Sequence, residues 1–87
     1  MYVLIVYDIK VERVTKVHKF LKSHLNWRQN SVFEGELTEA QFEKVKYGLK
    51  SIINLDTDSV LIYTARDGKW LTRVEIGNQR GTTENII

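Results

Sequence analysis

Tyr2-Val3-Leu4-Ile5-Val6-Tyr7-Asp8 is the stretch that decides the fold. Six residues run without a polar break and a carboxylate ends them. A run this short is a strand rather than a buried helix, and one with no polar face belongs on a strand covered on both sides. Asp8 stands where that strand emerges, held rigidly and still able to reach water. From position alone two readings stay open: a metal ligand, or a cap on the backbone N–H groups of the following turn.

Helical spacing follows at once. Val14, Val17, Leu21 and Leu25 recur on one side while Lys16, Lys19 and Lys22 fall mostly on the other, which predicts an amphipathic helix over Val11 to Leu25. Residues 26–37 are extended in character, as one bent strand or two short ones, with Gly35 as a bulge or close-approach point. Thr38 and Gln41 form a capping box that opens a second helix. Its buried stripe is Phe42, Val45, Leu49, Ile52 and Ile53. Asn54 to Asp58 is a polar break, and Ser59 to Tyr63 a second apolar strand. Asp67-Gly68 signals a turn into a half-buried strand in which Trp70, Thr72, Val74 and Ile76 alternate with polar neighbours, before a polar tail.

Composition bounds the rest. The chain has 87 residues, enough for one domain with one core, and a hydrophobic fraction of 43% argues against disorder. We therefore read residues 1–87 as a single domain that ends in a tail over 77–87. There is no cysteine, so disulfides and thiolate metal sites are excluded, and a reducing cytoplasm suits the chain. The first apolar run is too short to be a signal sequence or to span a bilayer. A net charge of +2 permits nucleic-acid binding without demanding it. His18 and His24 lie six apart on the first helix and share no face, so they read as structural or surface residues rather than a metal pair.

Strand, helix, extended segment, helix, strand, strand is the order of split βαβ units. It predicts an α+β, ferredoxin-like βαββαβ sandwich on an antiparallel sheet, with an extra C-terminal strand. Both helices would cover one face, and a second copy stacked face to face would cover the other, giving a homodimer.

Tyr7-Asp8-Ile9 followed by Arg13-Val14, then Gln29-x-Ser31-Val32-Phe33-Glu34-Gly35, then Asp58-Ser59-Val60-x-Ile62-Tyr63 occur in that order. Together they resemble the Cas2 family, the small CRISPR-associated proteins of the spacer-acquisition module. The resemblance covers nearly the whole chain. It implies a symmetric homodimer with stacked sheets and C-terminal strands that cross to the partner. It also implies that Asp8, close to the two-fold axis, is the catalytic Mg²⁺ (or Mn²⁺) ligand of an endonuclease acting on RNA or double-stranded DNA, and that the CRISPR integrase subunit is a partner. Elementary chemistry agrees: Mg²⁺ takes one or two carboxylates, and a two-fold axis would bring a second Asp8.

Four further residues are candidates for substrate contact. Tyr7 orients substrate or supports Asp8, or is core. Arg13 opens a helix where its charge opposes the dipole, a hint of a phosphate, and the resemblance supports that role. Ser31 bonds a phosphate, a water or the backbone. The resemblance implies that Phe33 contacts substrate, while its pattern position also suits plain core. A non-catalytic adaptor that clamps duplex DNA through backbone charge and offers its C-terminal strand to an integrase is the alternative function. A small RNA-binding module is a third, and it would need stacking aromatics on the sheet face.

Overall fold

The computed structural model describes residues 1–66 and 69–78. Its elements are β1 (Tyr2–Asp8), α1 (Val11–Lys22), β2 (Asn26–Gln29), β3 (Val32–Glu36), α2 (Glu39–Ile52), β4 (Ser59–Arg66) and β5 (Lys69–Gly77). The five strands form one antiparallel sheet in the order β2-β3-β1-β4-β5. β3 separates β1 from β2, and β1 separates β3 from β4. Each helix therefore links two parallel strands across an inserted third, which is the expected pair of split βαβ units. β5 is the extra strand, paired to the outer edge of β4. The middle segment is two strands, reversed at Asn30, whose φ of 39° is one that asparagine tolerates better than most residues. The Asp67-Gly68 turn and the tail from residue 79 lie outside the described residues.

α1 begins at Val11 with no side-chain cap at Lys10, whereas α2 starts on its sequence signal. Thr38 Oγ1 accepts from the Gln41 N–H at 3.1 Å and Gln41 Oε1 accepts from the Thr38 N–H at 2.8 Å, a closed capping box worth about 1 kcal/mol. α1 ends at Lys22, short of the predicted Leu25. The N–H groups of His24 and Leu25 both donate to the Leu21 carbonyl, and Ser23 Oγ donates to that of Phe20 at 2.7 Å. The last turn closes there, and Leu25 leaves the helix while staying in the core.

The core lies between the helices and one sheet face. Val3, Ile5 and Tyr7 of β1 meet Phe33, Val60, Ile62 and Ile76 beneath Val17, Leu21, Val45 and Leu49. Each fully buried aliphatic side chain here contributes roughly 1.5–3 kcal/mol. The helices approach closely at Gly48, where a Cβ would stand 2.2 Å from the Phe20 ring.

β1 corrects one expectation. Its burial alternates: Val3, Ile5 and Tyr7 are buried, while Tyr2, Leu4 and Val6 are only half-buried. The helices cover one face of the sheet, and among the described residues no element covers the other. Register places Leu4 opposite Glu34 and Tyr63, and Val6 opposite Val32 and Leu61. The open face is thus apolar at its centre. Its flanks carry the Arg28–Glu34 and Arg73–Glu75 ion pairs, at 2.9 and 3.1 Å.

Candidate active site at the carboxyl end of the first strand

β1 delivers Tyr7 and Asp8 to one end of the sheet, and the β2–β3 reversal delivers Asn30 and Ser31 beside them. The Tyr7 N–H donates to the Ser31 carbonyl at 3.1 Å, which locks strand end to turn. A cleft of about 260 Å³ opens between them, lined by Tyr7, Asp8, Ile9, Val14, Asn30 and Ser31. Asp8 is exposed at its edge, opposite Ser59 of β4. Strand alternation turns Tyr7 the other way, into the core. Its ring stacks on Phe33 with centroids 6.2 Å apart, and burial pushes its hydroxyl pKa up, so at neutral pH that hydroxyl keeps its proton.

Three of the five singled-out residues thus share a cleft; Arg13 and Phe33 do not line it. Phe33 has 0% exposure and is a core residue, in accord with the packing reading of its position. A substrate touches none of its surface in this conformation. The Arg13 guanidinium is bound to Asp58. Nε donates to Oδ2 at 2.6 Å and Nη2 to Oδ1 at 3.1 Å, with a further contact to Thr57 Oγ1 at 3.3 Å. An arginine in the first turn of a helix opposes the dipole, and Asp58 supplies the compensating charge.

Asp58 closes the segment that the sequence shows as a polar break. Its side chain has 0% exposure. Besides Arg13 it accepts from the Lys10 N–H at 2.9 Å and the Asn54 N–H at 3.0 Å. The Arg13 hydrogen bond, then the two backbone donors, hold its carboxyl far below the usual carboxylate range against the opposing effect of burial. The same loop holds the exit of β5. The Asn78 N–H donates to the Asp58 carbonyl at 2.8 Å, and Asn78 Nδ2 to the Asp56 carbonyl at 2.9 Å. Gly77 sits at φ +92°, and a Cβ there would lie 2.2 Å from the Asp58 carbonyl oxygen. One signal for Asp58 was available: it precedes an apolar strand as closely as Asp8 ends one.

The polar residues that line the cleft, Asp8, Asn30 and Ser31, carry hard oxygen donors. That set suits Mg²⁺, which takes one or two carboxylates and keeps several waters. Among the described residues no three His, Cys, Asp or Glu side chains converge as a fuller cage would require. The histidines pack on aromatics instead. His18 meets Trp27 and Phe33 edge-on at 5.2 and 5.1 Å, and His24 meets Phe20 at 5.0 Å. No helix of the described residues is long and apolar enough to cross a membrane.

Residues 1–73 match the family model described as CRISPR associated protein Cas2. The chain is similar to two curated proteins named CRISPR-associated endoribonuclease Cas2. One, from Pyrococcus furiosus, is 54% identical over 87 residues, covering all of both chains. The other, from Methanosarcina acetivorans, is 52% identical over 87 residues with the same full coverage. Among solved structures, one titled as a crystal structure of cas2 superposes with a TM-score of 0.75 at 49% identity, over 100% of this chain and 98% of that one. Streptococcus pyogenes Cas2 at pH 6.5 gives 0.71 at 35% identity, over 78% of this chain and 89% of its own.

Proposed function

The chain belongs to the family of CRISPR associated protein Cas2, and from that premise we propose that it is a homodimeric, Mg²⁺-dependent endonuclease of CRISPR adaptation that cleaves RNA. The observation that carries this reading is the exposed Asp8 carboxylate beside Tyr7 and Ser31 in one cleft. Two copies related by a two-fold axis would pair their Asp8 side chains and so provide a second carboxylate beside the first. Asp8 would hold the metal, and Ser31 and Asn30, which line the same cleft, would contribute neutral oxygens beside it. Bound Mg²⁺ supplies charge neutralisation at the scissile phosphate and a more acidic water. Tyr7 supports the strand end that carries Asp8 through its N–H bond to the Ser31 carbonyl. Arg13 acts on the cleft through Asp58, whose bond to the Lys10 N–H fixes the turn that follows Asp8.

The test is cleavage of end-labelled RNA by purified protein. Wild type is expected to cleave with Mg²⁺ and to stop in EDTA. Asp8→Asn is expected to fall to background while light scattering still finds the dimer. Cleavage that survives Asp8→Asn would refute the assignment.

A second reading is the non-catalytic adaptor, which clamps duplex DNA for the CRISPR integrase. Exposed lysines on the outer faces of both helices, Lys16, Lys19, Lys22, Lys44 and Lys50, favour it, because such a surface binds phosphates without reading bases. Spacer acquisition that persists with Asp8→Asn, the integrase present, would select this reading.

A further inference from the structure

Asn30 and Ser31 line the cleft on the β3 side of Asp8. On its β4 side stands Ser59, its partner in register. The two side chains share a face. Tyr7 and Val60 form the preceding pair and both enter the core, so the pleat turns Asp8 and Ser59 to the open face. Directly opposite residues of an antiparallel pair carry their Cβ atoms roughly 5 Å apart. That span lets a serine hydroxyl reach an aspartate oxygen. Ser59 is half-buried, Asp8 is exposed, and the next residue of the row is Gly77 of β5, which has no side chain to set against Ser59. Both backbones are also held from behind. Asp58, the residue before Ser59, is buried, and its carboxylate accepts from the Lys10 N–H at 2.9 Å and from Arg13 Nε at 2.6 Å. The chain that leaves Asp8 is thereby tied to the chain that enters Ser59.

We propose that Ser59 is a positioning residue for the Asp8 ligand: with a divalent cation bound, its hydroxyl donates to one oxygen of the Asp8 carboxylate and leaves the other to the ion. The proposal rests on the reading of Asp8 as the Mg²⁺ ligand. Mg²⁺ demands near-octahedral geometry, and here it would draw on one carboxylate from each chain. An exposed carboxylate that turns about its own side-chain bonds holds such an ion poorly. A hydroxyl anchored on the neighbouring strand fixes the carboxylate plane and, by bonding to the charged form, keeps it ionised. Ser59 is neutral and so brings no charge to compete with the cation.

The test is Mn²⁺ binding, read from the electron paramagnetic resonance signal of the unbound ion with no nucleic acid present. Wild type is expected to bind Mn²⁺ and Asp8→Asn to lose that binding. Ser59→Ala should bind about tenfold more weakly, while Ser59→Thr, which keeps a hydroxyl and suits a strand, should stay within about threefold of wild type. Ser59→Cys has nearly the shape of serine but a weak donor, so it should match Ser59→Ala and gives the same test should that variant not fold. Without metal, the melting temperatures of wild type and the folded Ser59 variants should agree; added Mn²⁺ should raise that of wild type more than that of Ser59→Ala, a difference that a packing role would not produce. Wild-type Mn²⁺ affinity in Ser59→Ala, or a loss in Ser59→Thr as large as in Ser59→Ala, overturns the proposal alone. Binding that is absent from wild type, or unchanged by Asp8→Asn, overturns it together with the reading of Asp8 as the metal ligand.

Discussion

Asp8 and Asp58 are the same residue type a short step apart in space, and the pleat of the sheet gives them opposite fates. Asp8 pairs with Ser59 on the open face, whereas Asp58, one residue earlier, turns to the helix side and meets Arg13. Residue spacing alone did not tell these two apart, because burial of Asp58 depends on α1 bringing Arg13 across from a distant part of the chain. Removing one partner of a buried ion pair leaves the other charged and unsatisfied. Asp58→Ala is therefore expected to lower unfolding free energy by about 3 kcal/mol in urea titrations at pH 7. The pH dependence follows from linkage. The folded carboxyl ionises far below its unfolded value of about 3.9, so its contribution is complete above that value and is lost as pH falls below it. Stability curves of wild type and Asp58→Asn should converge as pH drops from 5 towards 2. A gap that stays constant across that range would show that the carboxylate is not the source.

At the scale of elements, local chemistry was legible where partners are near in sequence. Thr38 and Gln41 announce the start of α2 because the box closes within one turn. The end of α1 was misplaced because apolar periodicity runs on to Leu25, while the backbone closes its last turn on Leu21. Gly77 is the opposite case, a glycine whose need is set by a distant strand. Its positive φ and its contact with the Asp58 carbonyl aim the chain as it leaves β5. The atom in the way belongs to the backbone and has no rotamer to yield. Gly77→Ala is expected to lower the melting temperature and, at a permissive temperature, to weaken self-association, because the tail leaves the sheet in another direction. Sedimentation velocity on the folded variant reads the second effect; unchanged association would separate the tail from the dimer.

For the whole molecule, the deciding feature is the sheet face that the helices leave open. Leu4, Val6, Val32 and Tyr63 are half-buried there and Leu61 is buried, between flanking ion pairs. An apolar centre with a charged rim is the anatomy of a protein interface. A dimer formed through it would bury Val6, so Val6→Glu is expected to give folded monomers by light scattering with an unchanged circular dichroism spectrum. A dimer that tolerates this charge must use another surface. What the amino-acid order determined by itself was the local part of the design. It set the apolar strands, the capped helix, the split βαβ order and an acid at the mouth of the first strand, all readable from periodicity and neighbours. Only the tertiary structure decided which acid is buried and which faces water, that Arg13 belongs to Asp58, that Phe33 is core, and that Trp27 stands half-exposed against His18. Those outcomes depend on which face of a strand meets which helix, and that is a property of packing among segments far apart along the chain.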